Sequence, residues 1–318
     1  MSDLSVLSSR AVIGIYYARL EANPGLLWVN NASNMFNSDQ GAETYAFLGM
    51  SPAMREWIGG RQAKGLRPNN LTIVNRHFEA TLEIARKDAR RDKTGQITAR
   101  VNEFADQAQL HWASLLSQLL LDGPTTVCYD GQYYFDTDHQ EGDSPSQSNS
   151  ISVDISTLPA LVHGSAATAP SIEEMQQAIL AGIAQILSLK DDRNQPMNEM
   201  AQAFTVIVPV GLFMTAAAAV SRISTVALQQ NLDPNLIAGL VVSVQMNPRL
   251  TWTDKFAVMR TDSPIKGLIR QQETEVELKA KAESSEYEFD NDAWQFGIDS
   301  WRNVGYGYWQ RACLVTMT

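Results

Sequence analysis

The chain has 318 residues, 44 % of them hydrophobic and 19 % charged, enough to bury a sizeable core in one large domain or two ordinary ones. Its formal charge of −10 excludes a whole-surface grip on nucleic acid, which needs clustered Lys and Arg to release counterions, and it opposes binding to anionic membranes. Only Cys128 and Cys313 are present, without metal or redox spacing, so both are expected as reduced core thiols of a protein formed in a cytoplasm.

Residues 1–35 combine weak periodicity with several turn formers, which predicts an extended arm. Its start is acidic and is interrupted by Arg10 and Arg19, unlike a secretion signal. Ser51, Pro52 and Gly59-Gly60 frame a short helix. From 70 to 95, Phe78, Ala80, Leu82 and Ile84 alternate with Glu79, Thr81 and Glu83, the pattern of a strand with one apolar face. The charged run ARKDARRDKTG follows, so this region is predicted as an exposed β-excursion whose apolar face, Phe78, Leu82 and Ile84, needs cover from outside the subunit. Residues 61–102 hold ten Lys and Arg against four Asp and Glu, whereas 273–299 hold two Lys against nine acids. That split predicts a basic arm, led by Arg86, Lys87, Arg90, Arg91 and Lys93, reaching over a neighbour's acidic surface.

Ile97, Val101, Phe104, Ala108, Trp112, Leu115 and Leu119 recur at spacings of three and four, which predicts one helix that Gly123-Pro124 stops. A helix over 97–121 is roughly 37 Å long at ~1.5 Å per residue. The next stretch, CYDGQYYFDTDHQEGD, crowds a thiol, a histidine and carboxylates together. As a calcium loop starting at Asp136 it lacks the glycine and the terminal Glu, since Glu141 and Gln147 stand there. A metal-dependent hydrolase built on Asp136, Asp138 and His139, or a Cys128–His139 nucleophile and base, has no further ligand, orienting group or oxyanion hole supplied by motif. The bland alternative is a strand, VCYDGQYYF, with an Asp-Gly turn and a hydrogen-bonded acidic exit.

Residues 140–170 read as a long loop or domain crossing, and Ser171 with Glu174 forms a capping box ahead of Met175, Ile179, Ile183 and Leu187. The uncharged run from Phe204 to Val220 is broken by Pro209 and Gly211, which predicts a buried strand, a turn and a buried helix instead of a membrane span. Strands are expected at 240–246, 256–259, 276–278 and 309–316. Trp294, Trp301 and Trp309 are expected to fill core and subunit contacts, having no basic residues interleaved as a stacking platform for bases would need. The order is mixed without a βαβ rhythm, so the fold class is α+β.

The succession LTIVNRHFEATLEIARKD, a charged turn, the helix QITARVNEFADQAQLHWASLLSQLLLDG and then VCYDGQYYFDTDH resembles the major head subunit of Mu-like bacteriophages. The aromatic pair Tyr134-Phe135 and the downstream His139 match that family, as does the opening YYARLEANPGLLWVNNASNMFNSDQGAETYAFLGMSPAMREW. The resemblance implies the Hong Kong 97-type capsid fold. The N-arm would be 1–35, the start of the peripheral domain 36–60, the E-loop 61–96, and the peripheral domain with its spine helix 97–159. The axial domain would be 160–250, and the returning peripheral strands 251–318. It also implies a non-enzymatic subunit of the virion, assembled in the bacterial cytoplasm into pentamers and hexamers around double-stranded DNA touched only weakly. A separate scaffold protein, a portal and a maturation protease would be partners, with no cofactor, metal or membrane. An encapsulin-like compartment of the same fold is the alternative within the class. Lys–Asn cross-linking, used by the fold's namesake, would need Lys87 or Lys93 beside a neighbour's Asn and a buried acid, and no motif supplies that geometry.

Overall fold

The computed structural model describes residues 8–45, 71–92, 94–229, 236–237 and 240–318. The helix expected at 51–60, residues 61–70 of the expected E-loop and Lys93 lie outside the described residues. In chain order the first elements are α1 (Ser9–Ala22), α2 (Leu27–Ala32), β1 (Ser33–Asn37), β2 (Ala42–Tyr45), β3 (Leu71–Val74), β4 (Arg76–Ala85), α3 (Arg86–Arg91) and α4 (Gln96–Asp122). The middle of the chain supplies β5 (Ser150–Val153), α5 (Ile172–Ser188), β6 (Ala203–Val208), α6 (Val210–Gln229), β7 (Leu236–Ile237) and β8 (Leu240–Met246). It closes with β9 (Lys255–Arg260), β10 (Leu268–Gln272), β11 (Glu277–Lys281), α7 (Glu286–Asn291), β12 (Ala293–Tyr306) and β13 (Ala312–Met317).

Helix α4 is the organising rod, 27 residues and ~40 Å long. Asp92 holds its start by accepting the amides of Gln96 and Ile97 at 3.0 and 2.8 Å. Its buried stripe follows the predicted positions through Ile97, Val101, Ala108 and Trp112, then moves to Leu116 and Leu120, leaving Leu115 and Leu119 only partly buried. The change marks a change of neighbour. The first half of α4 packs on α1, β4 and β12, and the second half enters a separate core with Tyr129, Tyr134, Tyr306 and Trp309.

Residues 9–22 are helical, not the extended arm expected of them. Ser8 caps the first turn through Ala11, and Val12 and Tyr16 sink into the α4 core. Strand β4 is likewise no free excursion. It pairs antiparallel with β12 from Arg76↔Arg302 to Ala85↔Ala293, inside a five-stranded sheet ordered β1-β10-β12-β11 with β4 added to β12. Its apolar face is covered by its own chain, because Ile84 is buried and Leu82 packs in the core that Ile97 and Val101 line. Phe78 is half-buried, edge-on to His111 with ring centroids 4.4 Å apart. The need for outside cover is therefore met from within.

His111 is held neutral to about 4, first by burial and then by the charges of Arg302 and Arg249. A folded value below the unfolded ~6.5 means that the unfolded chain takes up the proton first as pH falls. Stability present above pH ~6.5 should then be lost progressively towards pH 4. His111→Leu is expected to leave stability near pH 7.5 little changed and to shallow that acid slope, read by thermal melts across pH. Equal slopes for variant and parent would contradict it.

A second sheet, ordered β5-β13-β9-β6-β8-β7, carries α5 and α6 around another core. The capping box at Ser171 and Glu174 is present, and β6, Pro209 and α6 realise the expected strand, turn and helix. One β–α–β unit, unexpected from sequence, joins the parallel β6 and β8 through α6. Gly182 of α5 lies against β9 and β13, where a Cβ would stand 2.8 Å from Val258 and Val315 methyls. No described helix is long and apolar enough to cross a membrane.

Candidate functional site

The crowded segment at 128–143 is not a strand. Thr126 to Phe135 forms a tight loop in which Gly131, at φ +91°, lets the Cys128 amide reach the Gln132 carbonyl at 2.8 Å. The turn points Asp130 inward. Its carboxylate accepts from the Cys128 thiol at 3.0 Å, the Gln132 amide at 3.1 Å and Nδ1 of His139 at 2.7 Å. Burial alone raises the Asp130 carboxyl, but the bonds from His139 and Cys128 outweigh it and hold the group below its ordinary range.

Asn149 fixes the other side of the ring. Its amide nitrogen donates to the carbonyls of Tyr134 and Trp309, and its oxygen accepts the Asp136 amide at 2.9 Å. Nε2 of His139, 3.1 Å from that oxygen, must therefore donate. Nδ1 faces the Asp130 carboxylate, so the ring is held between two acceptors. Trp309 stacks on the imidazole at 4.0 Å and 5°.

This geometry commits these groups to one another. Burial, reinforced by Asp130, pushes the Cys128 thiol well up, so it is no thiolate nucleophile, and the Asp130 carboxylate already engages both the thiol and the imidazole. Asp136, Asp138 and His139 do not converge: Asp138 is exposed and shares a hydrogen bond with Asp136 that raises its carboxyl, while His139 turns into the core. Ligand atoms of Cys128, Asp130 and His139 lie within 4.8 Å of one another, but each is spent on the others, and His139 and Asp130 side chains are 0 % and 2 % exposed. The cluster is a polar staple joining the 128–149 loop to the segment before β13.

The charged region forms an edge. Helix α3 leaves β4 where α7 enters β12, and Arg86 bridges them through Glu288 at 3.3 Å and Asp292 at 3.8 Å. Part of the acid in 273–299 is thus paired inside the chain, and Asp299 likewise pairs with Lys279 at 2.9 Å and lies 3.3 Å from Nε2 of His77. Lys87, Arg90 and Arg91 stay exposed.

Against known families, the description "Mu-like prophage major head subunit gpT" matches residues 20–172 and 241–318. This chain belongs to that family. The major head subunit of the Mu-like prophage FluMu of Haemophilus influenzae is 35 % identical over 121 residues, 38 % of this chain and 39 % of the relative. The major capsid protein of Escherichia phage Mu is 34 % identical over 110 residues, 35 % of this chain and 36 % of that one. Those alignments span less than half of either relative. Among solved structures, the procapsid of bacteriophage JBD30 matches with a TM-score of 0.55 at 21 % identity, over 96 % of this chain and 74 % of that chain. The capsid of cyanophage P-SCSP1u gives 0.52 at 11 % identity, over 90 % and 86 %. The architecture is the capsid fold of the Hong Kong 97 type.

Within the head-subunit family's frame, the structure separates the residues that sequence grouped. Leu82 and Ile84 face inward, Phe78 half so, Arg86 is paired in its own chain, and Lys87, Arg90 and Arg91 face solvent. Asp130 and Asn149, which make His139 structural, were missed as partners. The signal was faint: an Asp-Gly turn and an Asn separated by the loop that joins them. Helix α7, with its exposed Phe289, was missed as well, although Ser285 followed by Glu288 is a capping signature.

Proposed function

We propose that this chain is the repeating tile of an icosahedral phage head, packing against copies of itself to enclose double-stranded DNA as part of the virion. The family match at both ends of the chain, 20–172 and 241–318, joined by a capsid-type fold, is the observation that carries this. In this reading a separate scaffold, a portal and a maturation protease act during assembly in the host cytoplasm. DNA is touched weakly, since 25 Lys and Arg stand against 35 Asp and Glu on this chain. The match favours a head over an encapsulin-like compartment.

The basic residues Lys87, Arg90, Arg91 and Lys93 are the proposed contact with a neighbour. Arg86, Leu82 and Ile84 are committed inside their own subunit and contribute by holding the edge in shape. Complementary rim charges set encounter rate and register more than affinity. Arg90→Glu with Arg91→Glu should slow assembly several-fold at low salt, followed by light scattering and sedimentation. The gap should close near 1 M salt, where screening falls to ~3 Å. Identical kinetics at every salt concentration would remove the edge from assembly, and absence of large particles from the parent would overturn the head reading.

A further inference from the structure

The α3–α7 edge has a knob and a hole of its own. The register pair Ala85↔Ala293 sets the two short helices side by side, and the Arg86 amide donates to the Asp292 carbonyl at 2.9 Å. Tyr287 of α7 turns back to β4, where its hydroxyl meets Glu83. Phe289, two positions on, faces away and is 91 % exposed, flanked by the exposed acids Glu286 and Asp290. A single exposed phenylalanine is ordinary. Here it has a counterpart.

Between α3 and the start of α4 lies a cleft of about 450 Å³. Ile84, Ala85 and Ile97 form its apolar side, and Arg91 and Arg100 stand among its lining residues. Three acids also border it, but two are engaged: Asp92 is held low mainly by the Ile97 amide of the α4 cap, and Glu83 accepts the Tyr287 hydroxyl. Arg91, Arg100 and the exposed Asp88 remain, with Arg90 and Lys87 beside them on α3, so the balance there is basic. The edge thus carries an aromatic knob between acids and a cleft of mixed lining, with Ile84, Ala85 and Ile97 on one side and arginines beside them. Such a surface is complementary to itself.

We infer that the α3–α7 edge docks on the same edge of a second copy, Phe289 of each entering the cleft between α3 and α4 of the other. A two-fold contact of this kind uses one patch twice, so each copy gives a knob and receives one. Glu286 and Asp290 then face the partner's α3, which fixes the register. The inference rests on the self-assembly reading and names one contact within it.

The test uses two full-length variants, Phe289→Cys and Thr94→Cys, the latter on the cleft wall. Both native cysteines are buried with thiols raised by burial, so they stay silent. The variants are mixed, assembled and oxidised with diamide, which accepts the two electrons as the disulfide forms. A covalent dimer at least tenfold more abundant in the mixture than in either variant alone is expected, in particles and in concentrated unassembled protein. Phe289→Asp should lower particle yield about tenfold while leaving the thermal melt of the subunit unchanged. Particles without mixture-specific dimers, or with full yield from Phe289→Asp, overturn the contact but leave the head reading standing. Dimers without particles overturn the head reading and keep the contact. Neither dimers nor particles overturn both.

Discussion

His139→Ala is expected to lower the unfolding free energy of the subunit by ~3–5 kcal/mol, because it strands the Asp130 carboxylate in a dry site. The carboxylate loses the 2.7 Å bond that offsets its burial, and Trp309 loses the ring stacked on it at 4.0 Å. Replacing both partners, His139→Leu with Asp130→Leu, should cost less than the single change, since no unpaired charge is left. The same account predicts that Asp136→Asn with Asp138→Asn stays within ~0.5 kcal/mol of the parent, as surface changes usually do. Urea denaturation of unassembled subunits reads all three. A loss under 1 kcal/mol for His139→Ala would show that His139 is not what offsets the burial of the Asp130 carboxylate.

Trp112→Ala should be as damaging, at ~4–5 kcal/mol. Trp112 is 5 % exposed on α4, and the guanidinium groups of Arg270 and Arg302 lie 5.7 and 4.9 Å from its ring. Neither arginine has a carboxylate within ion-pair distance among the described residues, and burial lowers both to about 10. Their charges rest on the indole face and on polar contacts such as Arg270 to Asn30 at 3.0 Å. Removing the ring opens a cavity and strands two buried cations at the junction of the rod helix with β10 and β12. Trp112→Phe keeps a face and should cost about half as much. Equal losses for the two variants would show that an aromatic face at position 112 does not lessen the cost.

What could be seen in the sequence follows from the range of the interactions. Helices α4 and α5 and the β6–α6 pair are declared by local periodicity, a capping box and a proline, all encoded within a few residues. Helix α1 was missed because its apolar face is narrow and is completed only when Tyr16 meets Phe104 of α4. Strand β12 did carry a period of two through Trp294, Phe296 and Ile298, but Gly297 and Asp299 weakened it, and the tryptophans drew notice as scattered aromatics. Its pairing with β4 joins residues more than two hundred positions apart, beyond any local signal. The staple was half visible. Composition singled out Cys128, His139 and the acids, yet only the fold reveals that Asp130 and Asn149 hold the imidazole's two nitrogens, which turns a nominated active site into a structural joint.

The most direct measurement is electron microscopy of the full chain expressed with and without a Mu-like head scaffold protein, paired with metal analysis of the same preparation. Closed shells of uniform size built from this chain, free of stoichiometric metal, are the predicted result. A discrete soluble species under both conditions, holding one tightly bound zinc or manganese per chain, would contradict it.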